Sequence, residues 1–253
     1  MMRKLVMIGW VLLFLTSPAH ANFVNGGFET GDTAGWTITG DHSVINSFTP
    51  QFVNTASWSS GVPYYGNYTL LLGSPDVGNV YWDNSHASRA SQTWTIDQSD
   101  IDAGLHLYFS WGTILEEPTN GYHPDGNQPY FSFAVSGYKG GTWTELYSAS
   151  QRANQPGHPG FTQIGTSQPT DNAGNIWYGS DVADIDLLSL GFGLGDQVRL
   201  DLYVQDCLQG GHGGLVFLDG FNTTPPVVPI PAAVLLFGSG LAGIIGLRRK
   251  TRL

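Results

Sequence analysis

The side chains best suited to chemistry in this sequence are aromatic rings set among turn-forming residues. A flat indole or phenol stacks on the apolar face of a pyranose, while Asn, Asp and Gln meet its hydroxyls. Carbohydrate binding is therefore the chemistry open to Trp58, Tyr64, Tyr65, Trp82, Trp94, Trp143, Trp177 and Tyr178. Most aromatics of a β-rich domain are core, so the expected ligand contacts are those in loop-like stretches: Trp58, Tyr64, Tyr65, Trp82, Trp177 and Tyr178. Catalysis has less to stand on. Glu116 and Glu117 are adjacent, and neighbours on a strand point to opposite faces, so they cannot flank one glycosidic bond. His106, His123, His158 and His212 lack a metal-ligand spacing, and neither a Gly-x-Ser-x-Gly elbow nor a phosphate loop occurs. The chain is expected not to be an enzyme, with an extracellular glycoside hydrolase as the third reading. A nonbinding structural surface component stands second.

The elements that must position these residues are strands. Tyr68–Leu72, Leu105–Trp111, Tyr130–Val135, Trp143–Tyr147, Val198–Val204 and Leu215–Leu218 have strand length and composition. Leu105–Trp111 and Val198–Val204 alternate apolar and polar residues, which puts one face inside and one in water and predicts an antiparallel sandwich. Glu117–Pro129 and Ala149–Asn175 read as polar, Gly- and Pro-rich loops. The single Cys207 excludes an intrachain disulfide and is expected to be a buried, inert thiol.

Charge is unevenly spread. All twenty acidic residues fall between Glu29 and Asp219, whereas only Arg89, Lys139, Arg152 and Arg199 among the ten basic ones do, leaving −16 on the interior stretch. Such a domain repels nucleic acid and anionic lipid, and divalent cations and neutral sugars are the ligands compatible with its total charge.

The ends carry processing signals. Arg3-Lys4, the apolar run Leu5–Leu15 and Ala19-His20-Ala21 make a secretory signal peptide over residues 1–21, with cleavage after Ala21. At the other end, Pro225 and Pro226 precede an uncharged apolar stretch and Arg248-Arg249-Lys250-Thr251-Arg252. About 20 apolar residues cross a bilayer, and the basic cluster keeps its end cytoplasmic. The expected organisation is an all-β chain: a signal peptide, one exported β-sandwich over 22–224, and a tail over 225–253 with a transmembrane helix at 231–247.

Val228-Pro229-Ile230-Pro231-Ala232-Ala233 and Leu236-Phe237-Gly238-Ser239-Gly240-Leu241, ending in the basic cluster, resemble the PEP-CTERM sorting tail of Gram-negative bacteria. The resemblance implies an exosortase as partner, cutting near Pro229, Ile230 and Pro231, with Arg248, Arg249 and Lys250 as the retention signal. It also implies a single-pass membrane intermediate that ends at the outer surface or in an exopolysaccharide matrix. Ile230 stands where that tail's name-giving Glu would be.

Asn25-Gly26-Gly27-Phe28-Glu29-Thr30-Gly31 with Trp36, and Val216-Phe217-Leu218-Asp219-Gly220-Phe221, resemble the first and last strands of jelly-roll carbohydrate-binding modules and galactose-binding-like domains. That resemblance makes the two segments neighbours and implies a structural Ca²⁺ held by Glu29, Asp219 and backbone oxygens near Gly31. Cys207-Leu208-Gln209-Gly210-Gly211-His212 is similar to the terminal hairpin of such exported domains. Its glycines suit a tight turn, and two ligands fall short of a zinc site.

Overall fold

A computed structural model describes residues 23–49, 61–62, 64–73, 87–118, 127–152, 160–166, 174–207 and 212–223. The signal peptide with Ala19 and Ala21, the sorting tail, Trp58 and Trp82 lie outside the described residues. Among the described residues no helix is long and apolar enough to cross a membrane.

The described elements are β1 (Thr37–Thr39), β2 (His42–Ile45), β3 (Thr69–Gly73), β4 (Ala87–Thr95), α1 (Gln98–Asp102), β5 (His106–Pro118), β6 (Tyr130–Lys139), β7 (Thr142–Gln151), β8 (Thr162–Thr166), β9 (Gly174–Asp186), β10 (Gln197–Gln205) and β11 (Gly214–Asn222). They form two antiparallel sheets, β1-β4-β10-β6-β7 and β2-β3-β11-β5-β9-β8, which enclose one core. The architecture is an all-β sandwich consistent with a jelly roll, and the six expected strands appear as β3, β5, β6, β7, β10 and β11.

Alternation builds the five-stranded sheet. Val198, Leu200, Leu202 and Val204 of β10 are buried, while Arg199, Asp201 and Tyr203 between them reach the outer face. Strand β4 does the same with weaker residues: Ser88, Ala90, Gln92 and Trp94 point inward. Buried Gln92 is tolerated because its amide is satisfied. It accepts from the Val24 amide at 2.8 Å and donates to the Val24 carbonyl at 3.0 Å, which ties the N-terminal segment to the sheet.

That N-terminal segment closes one end of the core. Phe23, Phe28 and Trp36 pack on Phe221, with the Trp36 and Phe221 rings 4.7 Å apart. Phe28 does so at φ 55°, a left-handed conformation that costs a side-chain-bearing residue about 1–3 kcal/mol, offset here by full burial of its ring. The Phe221 amide donates to the Gly26 carbonyl at 3.0 Å, and a Cβ on Gly26 would lie 2.3 Å from the Phe221 carbonyl oxygen. The expected neighbourhood of first and last segments therefore holds, although the first is a run of turns rather than a strand.

The central strands β3 and β11 of the six-stranded sheet are buried on both faces. The sheet's inner face joins the common core, and its outer face carries a second apolar cluster of Leu71, Ile114, Ile164, Ile176, Leu215 and Phe217, against which Phe48, Val62 and Tyr64 pack. This is why β3 and β11 read as near-continuous apolar runs.

Two expectations need correction. Ala149–Asn175 is not one loop: β7 runs to Gln151, β8 occupies Thr162–Thr166, and β9 begins at Gly174, so Trp177 and Tyr178 stand in a strand. Polar outward residues and glycines hid these strands. The Cys207–His212 connection is also not a hairpin within one sheet, because β10 and β11 lie in different sheets. It is a crossover, pinned by the Cys207 amide donating to the His212 carbonyl at 3.0 Å.

Candidate functional site

The outer face of the five-stranded sheet carries a groove of about 440 Å³. Its floor follows from register. Antiparallel pairing puts Arg89, Tyr203, Ser132 and Ser150 in one outward row and Ser91, Asp201, Ala134 and Ser148 in the next. Small Ser and Ala side chains along the middle, flanked by long Arg89, Tyr203 and Glu145, leave a depression. A β-bulge between Val135 and Ser136 shifts β7 by one residue, so that Glu145 pairs with Ser136 and stands on this face.

Each end of the face holds an aromatic pair capped by an arginine. At one end the Tyr130 and Tyr203 rings are 5.6 Å apart, and the Arg152 guanidinium lies 5.1 Å from the Tyr130 centroid. At the other, Tyr138 and Trp143 are 5.2 Å apart, and the Arg199 guanidinium lies 4.7 Å from the Trp143 centroid. Tyr203 and the Tyr138 partner Gln197 are six positions apart on β10, about 20 Å at the rise of a strand. That span suits an oligosaccharide better than a single ring.

Between the pairs, Asp201 is bound by two arginines. Its Oδ1 accepts from Arg89 Nη2 and its Oδ2 from Arg199 Nε at 2.7 Å. Asp201 is largely covered while the Arg89 side chain stays 51% exposed. Tyr203 donates its hydroxyl to Gln205 Oε1 at 2.7 Å. Burial, then Tyr130, pushes the Tyr203 hydroxyl above its ordinary pKa, so it keeps its proton at physiological pH. Flat rings, fixed hydroxyls and guanidinium edges are equipment for binding sugars. They are poor equipment for hydrolysing them, since guanidinium donors occupy both oxygens of Asp201.

The structure gathers Tyr64, Tyr65 and Tyr178 elsewhere, over the outer face of the six-stranded sheet. Tyr64 Oη and Tyr178 Oη are 3.0 Å apart, and Ser110 Oγ donates to Tyr65 Oη at 3.2 Å. All three are half-buried, and burial, then Tyr178, pushes the Tyr64 hydroxyl well above its ordinary range. Their rings fill space that glycines leave open: a Cβ on Gly112 would lie 1.9 Å from Tyr64 Oη, and one on Gly220 2.5 Å from the Tyr65 ring. Trp177, on β9 beside Tyr178, donates Nε1 to Glu117 Oε2 at 2.8 Å. Trp143, set aside as a strand residue, proves to stand on the grooved face. The signal for it was the outward parity of β6 and β7, which needs the register to be read.

Glu29 and Asp219 converge on one loop. Glu29 Oε1 accepts from the Asn67 amide at 2.8 Å and the Tyr68 amide at 3.1 Å, and Oε2 from Asn67 Nδ2 at 3.0 Å. Asp219 Oδ2 accepts from the Tyr65 amide at 2.8 Å and Thr69 Oγ1 at 3.1 Å, and Oδ1 from the Gly220 amide at 2.7 Å. Burial pushes the Asp219 carboxyl up to about 7, against the pull of those donors. The oxygens of both carboxylates are thus met by N–H and O–H donors of the Tyr65–Thr69 segment and Gly220. Gly31, at φ 74°, packs near the Tyr68 ring. Among the described residues no three His, Cys, Asp or Glu side chains gather to hold a metal. Cys207 Sγ and His212 Nδ1 are 3.6 Å apart, and both residues are buried.

No family model matches the chain. No curated protein matches it either. Among solved structures it is similar to a carbohydrate-binding module of the CBM28 group, specific for non-crystalline cellulose, at 13% identity over 80% of this chain and 95% of that one, with a TM-score of 0.37. It is also similar to the Caldicellulosiruptor saccharolyticus module CBM27-1, solved with mannohexaose, at 14% identity over 79% and 96% of the two chains and a TM-score of 0.35. A third similar structure is the xylan-binding domain from CBM22, at 13% identity, 76% and 97% coverage and a TM-score of 0.23.

Proposed function

We propose that this chain is a non-catalytic glycan-binding protein, exported and sorted to the cell surface or its exopolysaccharide matrix. In this reading residues 1–21 direct export, and an exosortase processes the tail at 225–253 after a single-pass membrane stage. The sandwich between them binds glycan along the outer face of its five-stranded sheet. The observation that carries the binding is the groove itself: a floor of small residues between the Tyr130–Tyr203 and Tyr138–Trp143 pairs. Rings so placed stack on successive sugars, and the hydroxyls and guanidinium groups between them set orientation.

A glycan array and affinity electrophoresis on the full-length chain test this, with Tyr203→Ala and Trp143→Ala as variants. Binding should fall several-fold, up to about tenfold, in each, since a lost aromatic stack is worth on the order of 0.5–1.5 kcal/mol. Intact binding in both variants moves the site off this face. No binding to any glycan leaves a structural surface component.

A further inference from the structure

We propose that the glycan taken by this groove is anionic, a polysaccharide bearing carboxylates such as a uronate polymer. The proposal rests on the glycan-binding reading above and deepens it.

Total charge points the other way, since four basic side chains against twenty acidic ones leave the stretch from Glu29 to Asp219 at −16. The fold, however, segregates that charge. Three of the four basic residues, Arg89, Arg152 and Arg199, converge on the grooved face. The strands of that sheet place only Asp201 and Glu145 among them as carboxylates. Among the described residues this face therefore carries three arginines against two carboxylates, on a chain that is acidic overall. A polyanion repelled by acidic surface elsewhere is directed toward this face.

The local geometry suits an anion as well. Asp201 takes one N–H from each of two guanidinium groups, and each guanidinium carries five. One carboxylate thus orders two cations without neutralising both. The Arg199 guanidinium lies over the Trp143 ring while its Nε–H meets Asp201, which fixes it beside Arg89. An ordered guanidinium edge matches a carboxylate bidentately, a geometry that a lysine or a neutral amide does not reproduce. Aromatic pairs at the ends hold the sugar rings, and the arginines read the acid groups between them.

Calorimetric titration of the full-length chain with oligogalacturonate and oligomannuronate, each beside its carboxyl-reduced counterpart, tests this at low and high salt. The uronates should bind about tenfold more tightly than the reduced sugars, the worth of a charge-assisted hydrogen bond. That preference should shrink as salt rises. Arg89→Gln, at a half-exposed position, should bring the ratio close to one while leaving the melting temperature unchanged. Reduced sugars binding as well as their parents, or Arg89→Gln leaving the ratio intact, overturns the anionic ligand and leaves glycan binding standing. Failure of every sugar, charged or neutral, removes the glycan-binding reading and this inference with it.

Discussion

The two sheets of this sandwich treat their outer faces in opposite ways. On the six-stranded sheet, Leu71, Ile114, Leu215 and Phe217 are covered by a segment whose Tyr64 bonds to Tyr178 of β9 and whose Tyr65 bonds to Ser110 of β5. On the five-stranded sheet, Arg89 and Tyr203 stay at the surface, one held by Asp201 and the other beside the Tyr130 ring. One face has been made into a second core and the other kept as a working surface. Polar satisfaction is dense on both, so hydrogen bonding alone does not distinguish a seal from a site. What distinguishes them is whether an apolar layer lies between the strands and the water.

The contrast can be broken most forcefully at Phe217. Truncating this fully buried ring to alanine should destabilise the chain by about 3–5 kcal/mol, read by denaturant unfolding. Tyr203→Ala on the opposite face should cost no more than about 1 kcal/mol of stability while weakening glycan binding. Equal losses at the two positions would mean that both faces are structural.

A smaller effect comes from pH. Burial raises the folded Asp219 carboxyl to about 7 from an ordinary 3.8. The folded state then holds this proton more tightly than the unfolded chain does. Its stabilising contribution is complete below about pH 4 and is lost as pH rises through about 7. Thermal melts across that window, in wild type and Asp219→Asn, should show the variant lacking this component of the slope. An identical slope in both would place the titration elsewhere.

The smallest expected change is from metal removal. The oxygens of Glu29 and Asp219 already accept from amides and a hydroxyl, so chelator should leave the melting temperature where it was. A clear rise with added Ca²⁺ would show a cation displacing those donors and would support the calcium role that the terminal motifs imply.

Legibility from sequence followed the strength of the inward residues. Strand β10 was plain because Val198, Leu200, Leu202 and Val204 alternate with charged and aromatic neighbours. Strand β4 was not, because Ser88 and Gln92 take inward positions, and Gln92 is kept there by a bond to Val24 that no local pattern reveals. In β9 the acids Asp181, Asp184 and Asp186 and two glycines disguise thirteen strand residues, so Trp177 and Tyr178 read as loop. The neighbourhood of the terminal motifs was legible because specific residues carried it, Gly26 against Phe221. The groove was not, since its residues come from four strands and meet only once pairing is known. The scarcity of arginines was visible at once, but their convergence needed the register.

The place of β11 sets how the six-stranded sheet holds together. It is the last described strand of the chain, yet it lies between β3 and β5 inside the six-stranded sheet, with Asp219 reaching back 150 positions to Thr69. Without β11, β3 keeps only β2 and β5 keeps only β9, and the Tyr65 amide has no Asp219 to meet. The six-stranded sheet is thus two separate halves, β2-β3 and β5-β9-β8, that one strand joins.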